Sequence, residues 1–74
     1  MNEMDEKKNA AKLLDALRER FQIKNDAALA RELDLTPGTI CKLRSGALAV
    51  GAVVILRIHE YLGLTVAEIR ALAA

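Results

Sequence analysis

The side chains able to do chemistry in this 74-residue chain are few in kind, and what is missing narrows the reading first. There is one histidine, His59, and one cysteine, Cys41. A lone cysteine cannot close a disulfide within the chain, and no Cys/His set has the spacing of a metal site. No glycine-rich loop cradles a phosphate, and neither His59 nor Cys41 has a sequence partner that would make a nucleophile and base pair. The parts of an enzyme are absent, and no cofactor is expected. What remains is a cluster of small polar and basic groups, Thr36, Gly38, Thr39, Cys41, Lys42, Arg44 and Ser45. Hydroxyls that donate or accept hydrogen bonds sit beside cations that bind anions. From Leu35 through His59 the formal charges are Lys42, Arg44 and Arg57 with no carboxylate, although the chain as a whole carries 11 basic and 10 acidic residues. A basic local field on a neutral chain points to a partner met at that segment.

The elements that must hold this cluster are readable from Asn25 to Gly46. Leu29, Ala30 and Leu33 recur at the spacing that places them on one helix face, and after a break at Asp34 a second set follows in Leu35, Ile40 and Leu43. Helices this short are marginal alone, since isolated helices below about 12 to 15 residues barely form in water, so the two must share a core. Asn25 is the expected cap of the first, which runs from Asp26 to Leu33. Asp34 falls where a left-handed backbone is needed, a place glycine fills best and Asp tolerates. Thr36 caps the next helix, Pro37 takes its first position, and Gly46 stops it after Arg44 and Ser45. Two short amphipathic helices joined by a tight turn have the layout of a helix-turn-helix.

The spacing of Ala30, Asp34, Leu35, Ile40 and Leu43 resembles the helix-turn-helix of the phage-repressor and Cro-like family, also called the xenobiotic response element family of bacterial regulators. Downstream, Ile55, Leu56, Ile58, Leu62-Gly63-Leu64 and Thr65-Val66-Ala67-Glu68-Ile69 are similar to that family's fourth and fifth helices. The likeness spans about residues 10 to 72. Two positions depart from it: Asp34, where the family most often has Gly, and Ala27-Ala28, where it frequently carries a polar residue that contacts DNA. The resemblance implies an all-α, compact five-helix domain of lambda-repressor-like fold, with helices 2 and 3 as the DNA-reading unit.

In that fold the start of the third helix meets base edges in the major groove. Thr36, Pro37, Gly38, Thr39, Cys41 and Lys42 are therefore the expected base-reading set. Thr39 can bond a base or lay its methyl on thymine, Lys42 can reach guanine O6 and N7, and Gly38 permits close approach. Lys24, Asn25, Arg44 and Ser45 are the expected phosphate contacts. The set is poor in Gln, Asn and Arg, so a large share of specificity is expected from backbone contacts and DNA shape. Plainer uses stand beside these. Lys42 and Arg44 are cations near a helix C-terminus, which is favourable in any protein; Thr36-Pro37-Gly38 starts a helix whatever the function; and Cys41 reads better as a small neutral residue than as a redox sensor.

The rest of the chain supplies scaffold. Residues 1–6 are expected to be flexible and residues 7–74 to form one domain. A first helix from Lys7 to Phe21 should bury Leu13, Leu14, Leu17 and Phe21. Residues 47–50 connect to a fourth helix that ends at Leu62, with Gly63 closing it. Thr65 and Glu68 form a capping box for a last helix to about Leu72. In the fourth helix Ile55, Ile58, His59 and Leu62 make one stripe, yet Val53, Val54, Leu56 and Tyr61 add apolar surface elsewhere. That excess predicts a homodimer interface at Val53, Val54, Leu56 and Tyr61. A dimer would set two reading helices about one DNA turn apart, as a palindromic site requires.

The N-terminal residues hold no apolar run that would serve as a signal peptide, and no 18 consecutive apolar residues occur. A cytoplasmic protein is expected, with double-stranded DNA as partner, a toxin or other regulatory protein as a further one, and no membrane or small-molecule ligand. The expected function is a sequence-specific transcriptional regulator, a repressor that occupies its operator. An antitoxin that represses its own operon shares this pattern, and so does a protein-interaction module built on the same helices without DNA.

Overall fold

Ala10, Leu13, Leu14 and Leu17 recur at three and four residues, giving one helix an apolar face that only other helices can cover. In the computed structural model, which describes residues 3–74 and the side chains from residue 9 onward, these four are at most 1 % exposed. They belong to α1 (Glu3–Arg20), which is followed by α2 (Asp26–Glu32), α3 (Pro37–Ser45), α4 (Ala52–Leu62) and α5 (Val66–Ala73). No strand occurs among the described residues. α1 packs on α3 and α5, α2 on α3, and α4 on α5. One core results, with Leu29, Ala30 and Leu33, Ile40 and Leu43, Val54 and Ile58, Leu64 and Ile69 joining the α1 stripe. No helix of the described residues is long and apolar enough to cross a membrane.

The caps explain where each element starts and stops. The Asn25 carboxamide oxygen accepts the Ala28 amide at 2.8 Å, and the Thr36 hydroxyl accepts the Thr39 amide at 3.2 Å, each satisfying an orphan donor of a first turn. At α5 the capping box is complete: the Glu68 amide donates to the Thr65 hydroxyl at 3.1 Å, and the Thr65 amide donates to Glu68 Oε1 at 3.3 Å. α1 and α2 both stop on a left-handed residue that is not glycine, Gln22 and Asp34, each with φ 53°. In each case the next amide reaches back five residues, Ile23 to the Arg18 carbonyl and Leu35 to the Ala30 carbonyl, both at 2.8 Å.

That ending of α1 corrects one expectation. Phe21, expected in the core, is 37 % exposed. The Phe21 amide still bonds the Leu17 carbonyl at 3.1 Å, but the chain turns left-handed at Gln22, and Ile23, just past the turn, packs against the core instead. The α1 backbone is helical from Glu3, ahead of the expected start at Lys7. The expectation of a flexible segment over residues 1–6 lies outside the described side chains.

A second correction concerns α4. Val54, expected to face a partner, is 5 % exposed and packs with Ile58 in the chain's own core. Residues 54 and 58 are one turn apart, so burying Ile58 buries Val54 with it. The other three residues of the expected interface face outward: Val53, Leu56 and Tyr61 are 62 %, 53 % and 52 % exposed. His59 turns its Nδ1 to the Leu64 carbonyl at 2.7 Å, tying the end of α4 to the loop before α5.

Candidate nucleic-acid interface

With Ile40 and Leu43 buried, helical geometry decides what α3 offers to the outside. Gly38, Cys41, Lys42 and Ser45, spaced as i, i+3, i+4 and i+7, make one exposed face, and Thr36 and Pro37 are exposed at its start. The structure thus brings the expected base-reading residues to one surface, with Thr39 half-buried at its flank. The Thr39 hydroxyl lies 2.9 Å from that of Thr36, so the two share a proton and leave one hydroxyl hydrogen for an outside acceptor. A methyl group built on Gly38 would meet nothing nearer than the Thr36 hydroxyl at 3.8 Å, which is ordinary contact. Glycine is therefore not required there by packing within the chain.

The phosphate set divides. Lys24 precedes the Asn25 cap, and its carbonyl accepts from the Arg18 guanidinium at 2.8 Å while its ammonium makes no ion pair among the described residues. Asn25 uses its carboxamide oxygen as the cap of α2. The Ser45 hydroxyl donates to the Lys42 carbonyl at 3.2 Å. Arg44 turns inward. Its Nε and Nη2 bond the two Asp26 oxygens at 2.6 and 2.9 Å, and Nη2 also lies 2.8 Å from Asp15. Arg18 adds a weaker contact to Asp26 at 3.6 Å. The Arg44 hydrogen bonds hold the Asp26 carboxyl below its ordinary value against the opposing effect of burial, with the charges of Arg44 and Arg18 adding to the shift. The same pairing keeps the Arg44 proton more firmly held than in water.

A guanidinium already bonded to two carboxylates has little field left for a phosphate. Arg44, an expected phosphate contact, is thus ion-paired within the chain. Arg57 is spent in the same way, its Nη1 donating to the Asp34 carbonyl at 2.8 Å and to Asp34 Oδ2 at 2.9 Å. Of the three cations between Leu35 and His59, Lys42 alone has no carboxylate partner among the described residues. The basic field read along the sequence is weaker in space because acids from α1, α2 and the turn fold back onto it.

Sequence reasoning missed Asp15, Arg18, Asp26 and Arg57 as parts of this site. For Arg44 a signal existed: it lies next to Leu43 and four residues after Ile40, at the edge of a buried face where a cation needs a partner. Its partners, 18 and 29 positions away, left no local trace. Elsewhere, no three His, Cys, Asp or Glu side chains among the described residues are close enough to hold a metal ion, and the Cys41 thiol is free and exposed. The two exposed faces, that of α3 and that of α4 at Val53, Leu56 and Tyr61, are what the molecule presents to partners, and neither has a counterpart to borrow from, since no family model, no curated protein and no solved structure matches the chain.

Proposed function

We propose that the chain is a sequence-specific, double-stranded DNA-binding regulator of lambda-repressor-like fold, in which α2, the Asp34 turn and α3 act as a helix-turn-helix. One observation carries the reading: α3 opens on a capped N-terminus and shows an outward face of small residues, Gly38, Cys41 and Ser45, with Lys42 as a cation that has no carboxylate partner among the described residues. A helix with so little bulk fits a major groove about 12 Å wide. Thr36, Pro37, Gly38, Thr39, Cys41 and Lys42 would face base edges. Lys24 and Asn25 at the start of α2, with Ser45 at the end of α3, would meet phosphates. The exposed Val53, Leu56 and Tyr61 on α4 would join two copies on a palindromic operator, and occupancy of that operator would repress transcription in the cytoplasm. The reading needs neither cofactor nor catalysis.

The test is a binding selection on random duplexes with wild-type protein and Lys42→Ala in parallel at one salt concentration. An enriched inverted repeat that Lys42→Ala fails to enrich supports the reading; no enrichment by the wild type overturns it. A second reading has an observation of its own. Arg44 and Arg57 are neutralised within the chain while α4 exposes an apolar face, which favours a protein-interaction module, or an antitoxin whose toxin covers α4. Weak duplex binding without sequence preference, unchanged by Lys42→Ala, would favour it.

A further inference from the structure

We infer that Arg44 is a positioning residue, which sets the roll of α3 about its own axis so that the Gly38, Cys41, Lys42 and Ser45 face points squarely outward. The inference rests on the DNA-reading proposal for its consequence, though not for its geometry. α3 has nine residues and buries only Ile40 and Leu43. Two aliphatic side chains hold a short helix against a core but specify its rotation poorly, because they slide over apolar neighbours at little cost. A planar guanidinium bonded through Nε and Nη2 to both oxygens of one carboxylate has a single orientation. Here that carboxylate is Asp26, in the first turn of α2. Asp15 of α1 pairs with the same Nη2 at 2.8 Å, and Arg18 of α1 lies 3.6 Å from Asp26.

α3 is thereby fixed against both other helices it packs on. A roll of about 20° on a helix some 11 Å across would move a surface side chain by about 2 Å. Base-edge hydrogen bonds tolerate only a few tenths of an ångström. Arg57, bonded to the Asp34 carbonyl and carboxylate, ties α4 to the turn that feeds α3.

The test compares Arg44→Met, which keeps the stem and removes the charge, with Asp26→Asn, which leaves the Arg44 charge in place and breaks its two-point ion pair while the Asp15 contact stays. Both are measured where circular dichroism shows them fully folded, on the duplex enriched by the wild type and on a random duplex, across a salt series. A positioning role predicts that both variants lose about tenfold or more in affinity for the enriched duplex, with smaller losses on the random one. It also predicts a wild-type salt slope for Arg44→Met. A phosphate contact predicts the reverse: a slope reduced by about one for Arg44→Met, and tighter binding for Asp26→Asn. Either of those results overturns the inference.

If the wild type enriches no duplex, the DNA reading fails and the free protein decides the matter. Residual dipolar couplings that reorient α3 relative to α1 in both variants support the inference; unchanged couplings overturn it. Should Arg44→Met not fold, Arg44→Lys takes its place, since an ammonium keeps the charge but cannot make the planar two-point bond.

Discussion

Asp34 does three things at once. Its left-handed backbone at φ 53° ends α2, its carbonyl accepts from Arg57, and its carboxylate accepts from Arg57 as well. Replacing it with glycine relieves the left-handed strain and loses one exposed ion pair, two effects of opposite sign. Thermal melts of Asp34→Gly should therefore lie within about 0.5 kcal/mol of wild type. Asp34→Val keeps the strain, adds a β-branched side chain to it and loses the ion pair, so a cost of about 1–2 kcal/mol is expected. Asp26 gives a prediction in pH. Its carboxyl is held below its ordinary value of 3.8 in the folded chain by the Arg44 hydrogen bonds, so its contribution is complete above that unfolded value and is lost as pH falls through the lower, folded one. The melting temperatures of wild type and Asp26→Asn should differ near neutral pH and converge as pH is lowered below 3.8.

At the scale of elements, the boundaries of α2 to α5 were legible because each is set by residues next to one another. Asn25, Thr36-Pro37, Gly46, Gly63 and the Thr65 and Glu68 pair act within four residues, and the structure places each at its expected cap. The buried stripe of α1 was legible for the same reason, up to Leu17. Illegible were the exposure of Phe21, beside a left-handed Gln22 that nothing in its residue type announces, and Val54, whose burial depends on which way α4 rolls against α5. The ion pairs of Arg44 and Arg57 stayed hidden because each joins residues far apart in the chain, and a charge sum taken along a segment cannot see acids that fold onto it from elsewhere. The outward face of α3 was legible once Ile40 and Leu43 were assigned to the core.

That face allows a separation of stability from recognition. Alanine at position 38 has room in the free protein and suits a helix better than glycine, so Gly38→Ala should raise stability by about 0.5–1 kcal/mol in denaturant titration. If the backbone at Gly38 approaches DNA closely, the same variant should bind the selected duplex more weakly. A more stable protein that reads DNA less well would identify a residue kept for contact.

For the whole molecule, the exposed Val53, Leu56 and Tyr61 lie on one helix of a chain whose radius of gyration is only 11.0 Å, so α4 presents a large share of its apolar side chains to solvent. Sedimentation of the wild type should show concentration-dependent association that Leu56→Glu abolishes without loss of helix content. A monomeric wild type at high concentration would remove α4 as a self-association surface and leave it to another partner. The packing order carries a separate consequence. α1 rests on α3 and α5, helices made after it, and α5 contributes the buried Ile69. During synthesis α1 therefore leaves the ribosome with Leu13, Leu14 and Leu17 uncovered, and their cover is complete only when both α3 and α5 have emerged. A chain stalled before α5 would leave part of that apolar helix open to any chaperone or protease nearby, so a pause at that point would lengthen the exposure.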